Sequence, residues 1–392
     1  MPPLFRYEPP EMSKPINSIS DFLGERIAAG DFPSAVYIIG ERGATVFADG
    51  IGNAVVEPSR IPATLDTIYD LASLTKPLIT TLLCARRLQS KELKLEVPVS
   101  QLLTEFDRPD KRAITMGQLL THTSGLPAWR PLYILAEGKS ERTPAAIAGI
   151  DLDYAPGTRV VYSDLGFITL GLLLEKLTGK RLAQLAEEEI FLPLELERTF
   201  FNPSIAMQTG IAACETGNAY EKNTCVETNA GEYQNWRQDI IWGQVHDGNA
   251  HFLGGAAGHA GLFSTAEETL RLANQFLGGN GANALVKQSK LLKPEALNLF
   301  RQNLTGGLEE SRTIGWMLAE TSGSSAGPDL PSDSFGHTGF TGTSCWIDPL
   351  HERVFILLTN RTHLRPFPFV NINSVRRQFH SLAVAALQRP EG

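Results

Sequence analysis

Apolar positions along the chain follow a helical spacing in some stretches and a strand spacing in others. "SISDFLGERIAAG" reads as an amphipathic helix closed by Gly30. "SAVYIIGERGATVFADGIG" is two β-branched and aromatic runs split by "GERG", and predicts a hairpin. "TIYDLAS" then leads into a helix after Ser73. From about Arg86 to about Asn303 the signals are helical and loop-like, as in "MGQLLTH", "LGFITLGLLLEKLTG", "TAEETLRLANQFLGG" and "LLKPEALNLFRQ". Strand character returns in "RTIGWMLAE", "CWIDP" and "RVFILLTN", followed by the amphipathic helix "INSVRRQFHSLAVAALQ".

Strand signals therefore flank a helical block. Sequentially distant strands can share a sheet, so the pattern predicts an α+β fold with one antiparallel sheet built from both terminal segments and flanked by helices. Residues 1–85 with 310–392 would form the sheet domain and 86–309 a mostly helical one. A ligand site is expected in the cleft between them. There is no internal repeat.

Composition narrows the class of partner. The 392 residues are 42% hydrophobic and 20% charged, enough to bury a sizeable core, and the net charge is −8. No basic run tracks phosphates, which disfavours nucleic acid and anionic membrane surfaces. The first twenty residues carry no apolar signal or anchor segment, and no window of about eighteen apolar residues occurs, so a cytoplasmic protein is expected. The four cysteines, Cys84, Cys214, Cys225 and Cys345, have no C-x-x-C spacing. Cys214 and Cys225 could bridge, but reduced thiols are the expectation.

The first candidate chemistry is "LASLTKP", with Ser73 and Lys76 three residues apart. A single S-x-x-K is close to chance, and Ser73 is also a good N-cap. Pro77 sharpens the geometry, because proline is tolerated only in a helix's first turn. Ser73 must then lie at or beside the helix N-terminus, with Lys76 one turn on and on the same face. A serine there feels the positive helix end, and an adjacent ammonium can stabilise an alkoxide or, deprotonated, take its proton.

Two further stretches supply partners. In "PGTRVVYSDLGFITLGLLLEKLTG", Tyr162 precedes a helix running from about Leu165 to Thr178, with Ser163 or Asp164 as N-cap and Gly179 after its end. Tyr162 either packs or acts as a general base beside Lys76. The latter needs a phenol of ordinary pKa near 10 lowered by about three units, roughly 4 kcal/mol of differential stabilisation. In "SFGHTGFTGTSCWIDP", a strand bearing His337, Thr338 and Gly339 would let the backbone approach a ligand, with the Phe340 N–H next in line.

S-x-x-K, then Y-x-[N/D], then [K/H]-T-G, in this order, resembles the serine β-lactamase-like superfamily. The similarity is greatest to its class C β-lactamase, D-alanyl-D-alanine peptidase and family VIII carboxylesterase branch. "LLTHTSGLPAW" and "GGAAGHAGLFSTAEE" support the resemblance, which spans about Ile68 to Asn360. It implies a β-lactamase/transpeptidase-like fold with Ser73 as the acylated nucleophile and Lys76 and Tyr162 as the proton-handling pair. It also implies an oxyanion hole from the Ser73 and Phe340 N–H groups. His337, Thr338, Gly339, Asp164 and Trp129 would face substrate. No cofactor or metal is implied.

Departures from the family pattern bear on substrate. Asp164 stands where relatives that cleave lactams or peptides have an amide donor. A carboxylate only accepts hydrogen bonds, which counts against an amide carbonyl there. It would also keep Lys76 protonated, leaving Tyr162 as the principal base. Trp129 would form an apolar wall for small acyl or aryl esters. The expected activity is a carboxylesterase on small or medium acyl esters. The alternatives are a D-alanyl-D-alanine carboxypeptidase or β-lactamase, an acyltransferase, or a non-catalytic binding module.

Four features read as decoys. "GSSAG" around Ser325 matches G-x-S-x-G but has loop flanks instead of the strand and helix of a nucleophile elbow. His246, Asp247, His251 and His259 lack the spacing of a helical metal-binding pair. Thr265 and Glu268 in "STAEE" form a capping box, and His122 in "THTSG" holds a turn.

Overall fold

The computed structural model describes residues 14–278, 290–365 and 368–388. Its main sheet has seven strands in the order β3-β2-β1-β10-β9-β8-β7, every neighbouring pair antiparallel. They are β1 (Ser34–Glu41), β2 (Ala44–Val55), β3 (Ile61–Pro62), β7 (Met317–Leu318), β8 (Phe335–Thr338), β9 (Ser344–Asp348) and β10 (Arg353–Thr359). β1 pairs with β10 from Ala35↔Thr359 to Glu41↔Arg353, joining the two ends of the sequence as the pattern predicts.

β1 is buried along nearly its whole length because both sheet faces are covered. Val36 and Ile38 point into the larger core, with Leu78, Leu82 and Ile356. Ala35, Tyr37 and Ile39 point the other way, onto Ile19 and Leu23 of the helix Lys14–Ala28 and Phe379 of the helix Asn373–Leu387. The period of two thus sorts one strand's residues between two cores.

Three local readings are corrected. "RTIGWMLAE" contributes only the two-residue β7, since Thr313 and Gly315 are held in a turn. The block read as helix and loop contains two strands, β5 (Phe200–Phe201) and β6 (Leu262–Ser264), which with β4 (Tyr69–Asp70) ahead of the block form a small antiparallel sheet. Two or three residues leave no alternation to detect. Thr265 does cap the helix Ala266–Ala273, but Glu268 does not return the bond that would complete a capping box. Its buried carboxylate accepts the Glu197 and Arg198 N–H groups and the Thr199 hydroxyl. All four cysteines are free and buried. Among the described residues, no helix is long and apolar enough to cross a membrane.

Candidate active site

β4 ends at Asp70, and the chain turns through Leu71 into a 3-10 turn, Ala72–Leu74, followed by π-type turns over Lys76–Thr81 and an α-helix from Leu82. Ser73 therefore lies at the helix entrance, though the first turns are not α-helical. The entrance is tied down from several sides. The buried Asp70 carboxylate accepts the Ala72 N–H (2.8 Å) and the His246 N–H (2.7 Å). Thr341 and Thr343 donate their hydroxyls to the carbonyls of Asp70 (2.8 Å) and Leu71 (2.9 Å). These bonds hold Ala72 at φ +48°, a conformation that disfavours any residue with a Cβ.

Gly339 follows β8 against this turn. A Cβ at 339 would sit 2.1 Å from Thr343 Oγ1 and 2.6 Å from the Leu71 carbonyl, so only glycine permits the approach. No acceptor for the Phe340 N–H occurs among the described residues. Phe340 and Ser73 line the same cleft, of about 690 Å³, together with Trp129, Tyr162, Asp164 and His337. Thr338 and Gly339 line it as well. The structure thus brings every sequence-predicted site residue to one cleft, Lys76 lying just beneath its surface.

Lys76 is completely buried. Its Nζ donates to Ser73 Oγ (3.0 Å) and the His259 carbonyl (3.1 Å), and lies 2.7 Å from Asp164 Oδ1. Burial alone would lower its pKa, but the charge of Asp164 and the Tyr162 oxygen more than offset it, so the ammonium is held charged. The sequence reading of Asp164 as the charge partner of Lys76 matches this geometry.

Tyr162 is positioned by the entrance to the helix Asp164–Thr178. Ser163 caps it, accepting the Gly166 N–H (3.2 Å) and donating to the Pro127 carbonyl (2.7 Å). The Ser163 N–H donates to His122 Nδ1 (3.0 Å), and His122, at φ +58°, packs its ring 4.6 Å from Tyr162. Lys76 Nζ lies 4.8 Å from the Tyr162 ring centre. The phenol itself departs from expectation. Burial pushes its pKa up by more than Lys76 and Ser73 pull it down, so Tyr162 rests as the neutral phenol and not as a phenolate.

His337 is buried 5.7 Å from Tyr162, ring to ring. Its Nδ1 meets the Thr338 carbonyl at 2.8 Å, so that nitrogen carries the proton and Nε2 keeps a lone pair with no partner among the described residues. Burial, then Lys76 and Arg312, hold its pKa well below the ordinary histidine value. It stays neutral and is an acceptor.

The decoys resolve individually. Ser325 accepts from Trp346 Nε1 (3.2 Å), and its carbonyl meets His380 Nδ1 (3.0 Å), both structural contacts. His246 pairs with Glu215 (3.0 Å), and His251 is exposed. His259 and Asp247 join Asp164 in a trio whose ligand-type atoms lie within 4.8 Å of one another. That donor set could suit a divalent ion, but the cation it faces is Lys76. Sequence reasoning missed the arginines that line the cleft, Arg312, Arg361 and Arg376, which come from separate segments with no shared spacing. Arg376 is buried, donates to the Asn373 side chain and to the Gly339 and Thr343 carbonyls, and has no carboxylate partner among the described residues.

Comparison with known proteins agrees with this site. The beta-lactamase family model matches residues 19–376. N-acetylmuramyl-L-alanine amidase of Bacillus subtilis (strain 168) is 31% identical over 375 residues, covering 90% of this chain and 82% of the relative. A protein of Escherichia coli (strain K12) named "Putative D-alanyl-D-alanine carboxypeptidase" is 29% identical over 377 residues, covering 89% and 82%. Among solved structures, EstCE1, described as a hydrolase with promiscuous acyltransferase activity, superposes with a TM-score of 0.71 at 22% identity, covering 95% of this chain and 98% of that one. A class C beta-lactamase does so with a TM-score of 0.70 at 17% identity, covering 97% and 98%. The fold is that of these structures, and with the family match running through nearly the whole described chain, the protein belongs to the beta-lactamase family of serine hydrolases.

Proposed function

We propose that this chain hydrolyses small carboxylic esters through an acyl-enzyme on Ser73. The observation that carries the reading is the buried Lys76 ammonium facing Ser73 Oγ at 3.0 Å. As an ammonium it has no lone pair to offer; it donates to Ser73 Oγ and the His259 carbonyl and pairs with the Asp164 carboxylate at 2.7 Å. Lys76 therefore donates to Ser73, stabilising the developing alkoxide, and the Ser73 proton goes to Tyr162. Because Tyr162 rests neutral, it takes that proton only while giving up its own. The leaving oxygen of the ester receives it as the bond from Ser73 Oγ to the acyl carbon forms and the carbon–oxygen bond to the leaving group breaks. Water reverses the transfer: its proton goes to Tyr162, and the Tyr162 proton returns to Ser73. The Ser73 and Phe340 N–H groups are the donors for the oxyanion.

Asp164 supports an ester over an amide, since its carboxylate lines the cleft as an acceptor only. A second reading, hydrolysis of a polar amide such as a peptide, is favoured by the roomy cleft and by Arg376, which lines it with no carboxylate partner among the described residues and suits an anionic substrate group. The amidase and carboxypeptidase names of the relatives point the same way. An acyltransferase would differ only in the nucleophile that intercepts the acyl-enzyme.

A panel of nitrophenyl acetate and butyrate, nitrocefin, N-acetylmuramyl-L-alanine and D-alanyl-D-alanine peptides separates these readings, with competing alcohols added to reveal transfer. Turnover of the nitrophenyl esters that disappears in Ser73→Ala is the expected result. Cleavage confined to the amides would install the second reading, and turnover surviving in Ser73→Ala would overturn both.

A further inference from the structure

The stretch "VHDGNAHFLGGAAGHAG", discounted as a metal motif, returns to the site in another form. His259 Nε2 meets Asp247 Oδ1 at 2.8 Å, deep beside Lys76, and the His259 carbonyl accepts from Lys76 Nζ at 3.1 Å. That carbonyl is fixed from three directions. Asp247 is itself the N-cap of the helix Gly248–Phe252, accepting the Ala250 N–H at 2.7 Å. Thr80, on the turns that carry Lys76, donates to the Gly258 carbonyl at 2.7 Å. Gly258 is wedged against the helix behind Tyr162, where a Cβ would fall 2.0 Å from the Phe167 carbonyl. One short segment therefore locks the elements carrying Lys76 and Tyr162 to each other.

We propose that Asp247 and His259 form a positioning pair for Lys76: the ring contact aims the His259 carbonyl at Nζ, and the Asp247 carboxylate adds a second negative charge behind the ammonium. The pair does not touch substrate. It resists withdrawal of Lys76 from Ser73 and loss of its charge. The same reciprocity acts on Asp247, whose carboxyl is held below the ordinary range because His259 and Lys76 outweigh the cost of its burial. The other ionisable groups facing Lys76 are Asp164 and Tyr162 at the helix entrance, His122 beneath Tyr162, and His337 and Arg312 across the cleft. Asp164 also faces Asp247, the ligand-type atoms of Asp164, Asp247 and His259 lying within 4.8 Å of one another.

This inference rests on the acyl-enzyme reading, so its test needs no knowledge of the natural substrate. The probe is a fluorophosphonate, and the measurement is the second-order rate of Ser73 labelling against pH in the full chain. Asp247→Asn keeps an N-cap oxygen for Ala250, so folding should survive. The expected result is labelling slowed about tenfold or more, with its alkaline limb moved to lower pH, because one less negative charge makes the ammonium easier to deprotonate. His259→Gln, which retains a donor for Asp247, should label faster than His259→Ala, and this comparison serves if Asp247→Asn misfolds. An Asp247→Asn rate and alkaline limb equal to wild type, or equal rates for the two His259 variants, would overturn the pair. A chelator that stops labelling, with a divalent ion restoring it, would overturn it in favour of a metal at this trio. Absence of labelling in the wild type would instead defeat the acyl-enzyme reading itself.

Discussion

Tyr162 shows how far a residue's role depends on what surrounds it. A phenol beside an ammonium invites the expectation of a phenolate, since opposite charge favours ionisation. Here the ammonium is shared with Asp164 at 2.7 Å, and burial penalises the phenolate by more than Lys76 returns. In the proposed mechanism Tyr162 is therefore a shuttle that accepts one proton while releasing another. Tyr162→Phe keeps the ring packed on His122 but cannot shuttle. Its kcat should fall about 10²- to 10⁴-fold with KM within a few-fold of wild type, as read by steady-state ester hydrolysis. Near-wild-type turnover would remove Tyr162 from the proton path. His122 itself was legible in the sequence only as a turn residue. Its second task, accepting the Ser163 N–H beneath Tyr162, depends on a contact between segments forty-one positions apart.

Among elements, the entrance to the Ser73 helix and the turn after β8 are built as one piece. Thr341 and Thr343 bond the carbonyls of Asp70 and Leu71 across more than 270 positions of sequence, and Gly339 leaves room for the contact. Gly339→Ala must push these apart, because both close atoms belong to the braces themselves. Displacement of the Phe340 N–H by about 1 Å is enough to cost roughly 100-fold in turnover. Loss of that order in ester hydrolysis, with the far-ultraviolet circular dichroism retained, is the expected outcome; unchanged kinetics would show that β8 does not set the oxyanion geometry. "HTG" was readable as a close-approach motif, whereas nothing in the sequence pattern singled out the threonines that anchor it.

For the whole molecule, two buried groups give stability opposite pH dependences. Glu221, bonded to the Gly248 N–H and the Tyr133 hydroxyl, is pushed up to about 7 by burial and by the charge of Asp247. Its neutral form belongs to the folded state, so that stabilisation is complete below the unfolded carboxyl value and is lost as pH rises through about 7. His380, between the sheet and the loop at Ser325, is lowered to about 4 by burial. Its contribution is complete above the unfolded histidine value and is lost as pH falls through about 4. Each effect is of order 3 kcal/mol over the same window and they oppose. Thermal melts between about pH 4.5 and 7 should therefore show Glu221→Gln gaining stability with rising pH, relative to wild type. His380→Gln should lose stability with rising pH on the same comparison. Parallel slopes for the two variants would contradict these assignments.

By itself the sequence determined the sheet from both ends, the helix entrance at Ser73 and the candidate residues that meet at the cleft, though not its arginines. Each of these is local: a period of two, a proline that fixes a helix start, a tyrosine or glycine at an element's edge. The tertiary structure decided what those residues do to one another. Whether Lys76 is charged, whether Tyr162 is ionised, and whether Asp247 and His259 are bystanders or supports depend on desolvation and on distances of about 3 Å between segments far apart in sequence. The pattern of residue types records which groups are present, but only packing sets the dielectric and the separations that fix their protonation.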